Sequence, residues 1–283
     1  MARYSRPTSR AEALATLASE GGGARPLVGG TDLLVALRHH TVEPSVIVDL
    51  KAITDLPDPL VVREDGITVG PTATMTDLAT HPTIRSWYPG LVEAALTVGS
   101  VAIRNRASLV GNMCNGSPAA DTAPPLLVAG ASVTIAGEQE RTIPLSSFFL
   151  GPRRTECGLG ELVVALHLPR PQQRSSSAVR RLTRRRGVDL ATVSVAAAVD
   201  AEDRIVLGLG AVGPRPLVTR IDQAVDLADD RRLTEVLDEQ LRVATPISDV
   251  RASREYRSAT IRVLAKRAVH AAADRRTATE MAS

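Results

Sequence analysis

The sequence predicts an α+β protein in which strands and short helices come first and an antiparallel sheet followed by helices comes last. Short apolar runs bounded by Gly, Pro or Asp, which are typical of strands, recur up to residue 135. A stretch rich in Pro, Ser and Gln, residues 169–177, then indicates a linker. Beyond it, the apolar runs Val193–Val199 and Arg204–Gly210 flank the polar turn Asp200–Asp203, and helical patterns continue to the end. Strands followed by terminal helices are typical of an α+β layer structure.

The first elements alternate between helix and strand. Ser9–Glu12 has the pattern of a capping box, which predicts a helix that begins there and ends at Gly21–Gly23. Arg25–Val28 is expected to be a short strand leading into a glycine-bearing loop, and Leu33–Arg38 a helical turn or two leaving it. Ser45–Leu50, with the letters SVIVDL, is expected to be a buried strand.

A hairpin, two helices and a strand follow. The apolar segment Val61–Val69 contains an Asp-Gly dipeptide, which is typical of a tight turn between two strands. The residue pattern predicts helices at Thr76–Thr80 and Gly90–Val98 and a strand at Ala131–Ile135. In the last helix of the chain, four apolar residues recur at helical spacing: Ile261, Leu264, Ala268 and Ala272.

Composition limits the function classes. The chain has 283 residues, enough for two domains, with 44% apolar and 23% charged residues, as in ordinary globular proteins. A net charge of +3 and only 2% aromatic residues do not support nucleic-acid binding, which uses basic surfaces and exposed rings. We see no signal peptide within Met1–Arg10 and no apolar run long enough to span a membrane, so we expect a cytoplasmic protein.

Cysteine and arginine residues receive ordinary interpretations. The two cysteines, Cys114 and Cys157, lack CxxC spacing, so we expect free thiols and no metal site in this chain. We expect Cys114 to be a small buried residue and not a nucleophile. The arginine-rich stretch Arg180–Arg186 is expected to be a strand, whose alternate side chains face opposite ways. One face would then meet a cofactor or the core edge, and the other solvent or a partner protein.

Two polar loops that carry glycine are the strongest functional signal: Val28–Asp32 and Ile103–Asn112. Glycine lets backbone N–H groups approach a ligand, and successive N–H groups form an anion-binding concavity. Two such loops could grip the diphosphate of a dinucleotide from both sides. Neither loop is a Rossmann fingerprint or a P-loop, because G-x-G-x-x-G and G-K-[ST] are absent.

The second loop carries the more specific signal, because polar side chains are concentrated there and are costly to bury without partners. They are Asn105, Ser108, Asn112, Asn115, Ser117 and Asp121, with Gly111, Gly116 and Pro118 between them. The apolar residues that flank this segment favour a bound polar ligand over a solvated surface loop.

Together the two segments are recognisable. VGGTDLLVALR, followed by IRNRASLVGNMCNGSPAADTAPPLLVAGASV, resembles the FAD-binding medium subunit of the xanthine dehydrogenase and carbon monoxide dehydrogenase family of molybdenum hydroxylases. The resemblance extends over essentially the whole chain. It implies a two-lobed FAD-binding domain of the PCMH type at residues 1–172, with lobes at about 1–56 and 57–172. A C-terminal flavoprotein domain, an antiparallel sheet with helices, would occupy residues 173–283.

The resemblance also implies a set of cofactor-binding residues. The first loop would meet the diphosphate through the backbone amides of Val28, Gly29, Gly30, Thr31 and Asp32. The second loop would contribute Ser108, Gly111 and Asn112. Further implied positions are Val98 and Gly99 in the cofactor channel, Asp121 in the flavin site, Cys157 near the flavin and Arg180 as a basic residue approaching the FAD.

Departures from the family pattern are few. Val110 stands where the family has a glycine, and a valine does not easily take positive φ, so the loop geometry must shift if that conformation is needed. Gly116 stands where alanine is usual. The pair His39-His40 is expected at a solvated helix end, where cations are favoured. Because neither loop contains a histidine, we expect the FAD to be bound non-covalently.

The resemblance implies an FAD-binding electron-transfer subunit. Electrons would come from [2Fe-2S] clusters of a small partner subunit, after oxidation of a substrate on the molybdenum cofactor of a large one, and would pass to an external acceptor. The assembly would be a heterotrimer or a dimer of heterotrimers, with no catalytic acid or base in this chain. Two alternatives remain: a free-standing FAD-dependent oxidoreductase acting on a small molecule, and a cofactor-free interaction protein.

Overall fold

The computed structural model describes residues 2–281, and the side chains of residues 2–278. Its first part is a small parallel sheet with one covering helix, in the order β1-β3-β2. The elements are β1 (Arg3–Ser5), α1 (Arg10–Glu20), β2 (Ala24–Leu27), α2 (Leu33–Arg38) and β3 (Val46–Asp49). Helix α1 begins where the Ser9 hydroxyl accepts a hydrogen bond from the N–H of Glu12, as predicted, although the Glu12 carboxylate bonds the N–H of Thr8 and not that of Ser9. The predicted helix Leu33–Arg38 has the observed bounds.

The second part is a five-stranded antiparallel sheet in the order β4-β5-β10-β6-β7, packed against short helices. Its first elements are β4 (Leu60–Val62), β5 (Gly66–Val69), α3 (Met75–Thr80), α4 (Pro82–Trp87), α5 (Pro89–Thr97), α6 (Val101–Arg104), α7 (Leu109–Cys114) and α8 (Ala123–Val128). Then follow β6 (Ser132–Ala136), β7 (Arg141–Pro144), α9 (Leu145–Phe148), β8 (Phe149–Gly151), β9 (Arg154–Thr155) and β10 (Leu162–Pro169). The predicted hairpin is confirmed as β4 and β5.

The central strand β10 connects two hydrophobic cores. Val163 and Leu166 belong to the large core of the second part, whereas Leu162 and Val164 pack with Leu17 of α1 and other residues of the first part. Because both faces of β10 are buried, its sequence LVVALHLP does not alternate between apolar and polar residues. This strand was not predicted, because the alternation that marks a half-buried strand is absent from it.

The third part is a four-stranded antiparallel sheet in the order β11-β12-β13-β14. Its elements are β11 (Ser176–Leu182), β12 (Val193–Val199), β13 (Ile205–Gly210), β14 (Leu217–Ile221), α10 (Asp230–Gln240) and α11 (Arg254–Met281). The predicted hairpin around Asp200–Asp203 is confirmed. The four predicted apolar positions of the last helix are buried against the sheet.

The opposite face of this sheet packs on the second part of the chain. Val179 and Ala196 meet Ala94 of α5 and Val128 of α8 in a small buried cluster. At Gly208 of β13, an added Cβ would lie 2.3 Å from the carbonyl oxygen of Pro124, so this close approach requires glycine. The C-terminal sheet therefore packs directly against α8.

None of the helices within residues 2–281 combines the length and the apolar character that crossing a bilayer requires.

Candidate functional site

A cavity of about 740 Å³ opens between the N-terminal sheet and α7. This volume lies in the range of small-molecule and cofactor sites. Most of the residues singled out from the sequence line it: Val28, Gly29, Gly30, Thr31, Asp32, Val98, Ser108, Gly111, Asn112 and Cys157. Three of those residues, Gly99, Asp121 and Arg180, are not among the lining residues. The structure therefore brings the two predicted loops to one cavity.

The first loop forms its wall with backbone. Gly30 has φ +71°, a left-handed conformation that glycine adopts without strain. Within residues 2–281, the N–H groups of Gly30, Thr31 and Asp32 have no acceptor. At Gly29 an added Cβ would lie 1.9 Å from the carbonyl oxygen of Arg106, so the two loops touch through their backbones. This wall thus consists of closely packed chain with free amide donors.

Helix α7 contributes to the cavity wall with side chains. Ser108 caps the helix, its hydroxyl oxygen accepting from the N–H of Gly111 at 3.2 Å. The Asn112 Oδ1 accepts from the Thr122 hydroxyl at 2.7 Å, and the Asn115 Oδ1 accepts from the Arg153 guanidinium at 3.1 Å. With both amide oxygens engaged by the protein, the two NH₂ groups remain as donors for a ligand. A wall rich in donors suits an anion.

Val110 does not disturb this wall. It lies inside α7, has no positive φ, and is buried, with its side chain forming part of the cavity lining. A right-handed helical position accepts valine without backbone strain. The loop geometry therefore needs no shift here, and the glycine usual in the family is dispensable at this position.

The prediction that Cys114 is buried was wrong. Cys114 is exposed to the cavity that it lines, and the half-buried Cys157 lines the same cavity. The reason is the helical spacing of α7, which places Gly111 and Cys114 on the cavity face and Met113 on the core face. Protein surrounding both thiols disfavours their charged forms, so the pKa of Cys114 is raised, and that of Cys157 is raised to about 11. Both are protonated at neutral pH and are poor nucleophiles.

A buried ion pair joins β11 to the segment between α7 and α8. Asp121 Oδ2 accepts from Arg181 at 3.0 Å, with the two side chains only 12% and 14% exposed. The other carboxylate oxygen, Oδ1, is buried and has no partner within the described residues. Burial raises the pKa of Asp121 to about 6, against the opposing effect of the Arg181 charge. An unpaired buried acceptor is costly unless a ligand donor reaches it.

Arg180 and Arg181 face opposite ways on β11, as predicted, but this strand ends at Leu182 and does not extend to Arg186. The Arg180 guanidinium lies 3.9 Å from Glu93, on α5, and donates to the carbonyl of Val179. Arg181 instead binds Asp121 and donates to the carbonyl of Asp189 at 2.6 Å. Sequence reasoning selected Arg180 and missed Arg181. The alternation of side chains was the available signal, but it does not tell which face meets the site.

Arg153 and Asn115 are among the lining residues that were not predicted as ligand-binding. Arg153 has φ +56° in the turn between β8 and β9, and its N–H donates to the carbonyl of Gly116 at 2.9 Å. Asn115 was noted only as part of the polar segment.

Among residues 2–281, His, Cys, Asp and Glu side chains form no group of three that could hold a metal ion.

Comparison with known proteins identifies the family of this chain. The model of the FAD binding domain in molybdopterin dehydrogenase matches residues 1–171, and that of the CO dehydrogenase flavoprotein C-terminal domain matches residues 178–272. The chain is 29% identical over 279 residues to the putative xanthine dehydrogenase FAD-binding subunit of Escherichia coli K12, covering 95% of this chain and 94% of the relative. It is 28% identical over 279 residues to the carbon monoxide dehydrogenase medium chain of Hydrogenophaga pseudoflava, covering 95% and 96%.

Solved structures show the same fold. A chain of the carbon monoxide dehydrogenase of Hydrogenophaga pseudoflava superposes with a TM-score of 0.89 at 26% identity, covering 97% of this chain and 98% of that one. A chain of quinoline 2-oxidoreductase from Pseudomonas putida 86 gives a TM-score of 0.86 at 26% identity, covering 97% of each. These matches confirm the resemblance and the α+β fold. Because the first family model covers more than half of the sequence, the chain belongs to the family of FAD-binding flavoproteins of the molybdopterin dehydrogenases.

Proposed function

We propose that this chain is the flavin-carrying medium subunit of a molybdenum hydroxylase and that its cavity holds FAD non-covalently. The observation that carries the proposal is that two sets of hydrogen-bond donors line one cavity. One set is the free amides of Gly30–Asp32, and the other is the amide groups of Asn112 and Asn115. A diphosphate, with acceptor oxygens on both sides, is the part of a dinucleotide that such walls would hold.

The remaining residues suit the rest of the cofactor. Ser108 and Gly111 extend the α7 wall, while Val98 and Cys157 offer less polar surface for a ring system. Asp121 does not line the cavity, and a donor of bound FAD would have to reach past the lining residues to its buried, unpartnered oxygen. Gly99 acts indirectly, since an added Cβ would lie 2.6 Å from the side chain of Ile103, which lines the cavity. Arg180 is left out of the proposed contacts because it pairs with Glu93.

Bound FAD would supply the electron transfer, and this chain would supply binding, orientation and electrostatic tuning. No acid or base is needed from the protein for that role. The Asp121–Arg181 pair would set the electrostatic environment of the α7 wall, because buried charges act strongly where water is excluded.

The partners follow from the relatives. Those compared above are called a FAD-binding subunit and a medium chain, and this chain covers 94% and 96% of their lengths. We propose a large subunit with the molybdenum cofactor and a small subunit with [2Fe-2S] clusters, in a heterotrimer or a dimer of heterotrimers in the cytoplasm. Two cysteines without CxxC spacing favour an electron source in another chain. We place the boundary between the FAD-binding and C-terminal domains at residues 172 and 173.

The test is ligand binding followed by assembly. The flavin-free chain is titrated with FAD and with FMN, and the cofactor released by acid from protein of the native host is identified by mass spectrometry. We expect FAD, released intact, and binding of FMN weaker by roughly tenfold or more, because FMN lacks the diphosphate. Finding FMN alone would contradict the two-wall arrangement.

Co-purification from the native host, with analysis for molybdenum and iron, tests the assembly. We expect two additional subunits and both metals. A solitary chain that turns over a small molecule would instead establish the free-standing oxidoreductase, and a chain that takes up no flavin would establish the interaction protein.

A further inference from the structure

Thr122 stands at the N-terminal cap of α8, but its side chain does not cap that helix. A capping hydroxyl normally accepts from the N–H of the second or third helical residue. Here those residues are Pro124 and Pro125, which have no N–H to donate. The sequence Thr-Ala-Pro-Pro therefore leaves the threonine hydroxyl free for another task.

The hydroxyl is used to hold Asn112. It donates to the Asn112 Oδ1 at 2.7 Å, and Thr122 itself is completely buried. Asn112 lies on α7 and lines the cavity, ten residues earlier in the chain. An asparagine amide can turn over and exchange its oxygen and nitrogen. A donor fixed behind the oxygen opposes that exchange and keeps the NH₂ group toward the cavity.

We infer that Thr122 is a positioning residue that fixes the Asn112 amide with its donors toward an anionic ligand. The inference rests on the proposed function, in which that ligand is the diphosphate of FAD. With the amide turned over, its oxygen would face phosphate oxygens and repel them. Asn115 is held in the same sense by Arg153, but that contact is exposed and is made by a flexible side chain. The buried Thr122 contact is the more rigid of the two.

The chain provides a matched control for this contact. Thr76 also donates from its hydroxyl to an asparagine oxygen, the Asn105 Oδ1, at 2.6 Å. That pair joins α3 to the end of α6, and neither residue lines the cavity. The same substitution at the two threonines thus removes the same hydrogen bond, once behind the proposed ligand site and once away from it.

The experiment is a double-mutant cycle on the full chain. FAD dissociation constants are measured for the wild type, Thr122→Val, Thr122→Ser, Asn112→Ala and the combination of Thr122→Val with Asn112→Ala. Thermal stability of each flavin-free protein is measured alongside. We expect Thr122→Val to weaken FAD binding roughly tenfold, Thr122→Ser to restore it, and Thr76→Val to leave it unchanged. In the Asn112→Ala background, Thr122→Val should cause no additional loss.

Several results would overturn the inference. An equal loss from Thr122→Val in both backgrounds would mean a structural role that does not pass through Asn112. Unchanged FAD binding in a folded Thr122→Val protein would mean that the contact does not orient the amide. Thr122→Ala replaces the valine variant in the same cycle if the latter does not fold. A wild-type chain that binds no FAD would overturn the proposed function itself, and the inference with it.

Discussion

The first loop and α7 face the same cavity, but they present donors in different ways. The loop uses backbone N–H groups, which are available because Gly29 and Gly30 permit close packing and a left-handed conformation. Helix α7 uses side-chain amides, whose orientation depends on partners behind the wall. Substitutions that add a side chain should therefore disrupt the first loop, and substitutions that remove a side-chain donor or its partner should disrupt the α7 wall.

The first loop and α7 also differ in which parts of the chain hold them in place. The loop is defined by neighbouring residues and by contact with the Arg106 carbonyl. The α7 wall depends on α8 through Thr122, and the segment between these two helices is joined to β11 through the Asp121–Arg181 pair. Because the C-terminal sheet packs on α8, the C-terminal part takes part in forming the site without lining the cavity.

Gly29→Ala should have the largest effect and tests the loop wall. The new methyl group would lie 1.9 Å from the Arg106 carbonyl oxygen, and backbone cannot move aside as a side chain can. We expect a loss of about 3 kcal/mol in stability, the upper part of the range for overpacking, and protein purified without flavin. Calorimetry and the flavin-to-protein absorbance ratio measure the two effects.

Gly22→Ala is the control for this substitution, because an added Cβ there meets nothing within 4 Å. Normal flavin content in Gly29→Ala would show that the two loops need not touch, and the distinction between a backbone wall and a side-chain wall would fail.

Asn112→Asp should have the next largest effect and tests the side-chain wall. It keeps the size of the residue but replaces the NH₂ donors with a charged acceptor facing the proposed diphosphate. We expect FAD binding to weaken roughly 50- to 100-fold, or about 2–3 kcal/mol, with little change in thermal stability. Fluorescence titration of the flavin-free protein measures the affinity.

Asn105→Asp is the matched control, since Asn105 belongs to the same polar segment but does not line the cavity. Equal losses from the two aspartate variants would point to a general charge effect and not to donors on α7.

The two walls were not equally predictable from sequence. The first loop follows a short strand and precedes a short helix, and local pattern was enough to place all three. The second was read as an extended polar loop, although residues 109–114 form α7. Without that helix, the cavity face that carries Gly111, Cys114 and Asn115 was not identified, and the burial of Cys114 was mispredicted.

The other features that were not predicted depend on contacts between elements that are distant in sequence. The position of β10 between two cores removes the alternation by which strands are recognised. The parity of side chains on β11 was predicted, but only the docking of the C-terminal sheet decides that Arg181, and not Arg180, reaches Asp121. The contact between Thr122 and Asn112 joins separate helices, although the unused cap before two prolines was a signal present in the sequence.

Asp121→Ala should weaken FAD binding more than Asp203→Ala. This pair of variants tests whether Asp121 contributes to the cofactor site. Asp121 is buried, has a free oxygen, and holds Arg181. Asp203 lies in the turn between β12 and β13, paired with Arg276 far from the lining residues. Losing a charge-assisted contact costs roughly 1–3 kcal/mol, or about five- to a hundredfold in affinity, and we expect about tenfold. Equal dissociation constants would remove Asp121 from the cofactor site.

The smallest expected effect is a pH dependence of stability that arises from ionisation of the Asp121 carboxyl. In the flavin-free protein the pKa of Asp121 is raised from 3.8 to about 6, chiefly by burial. Between these values the folded chain binds more protons at this site than the unfolded chain. Its contribution is therefore fully present below about pH 4 and is lost as pH rises through about 6.

Asp121→Asn should remove that slope. We expect the stability of the wild type to fall, relative to the variant, by about 1 kcal/mol between pH 4 and pH 7, a discount from the full shift because Arg181 and residual solvent stabilise the charge. Urea unfolding of both proteins across this range measures the difference. The ion pair with Arg181 exists only where Asp121 is ionised, so its contribution is already contained in the pKa of about 6 and adds no separate offset to the variant. Parallel curves would show that Asp121 is already ionised in the folded chain at pH 4, which would require that its pairing with Arg181 outweighs its burial.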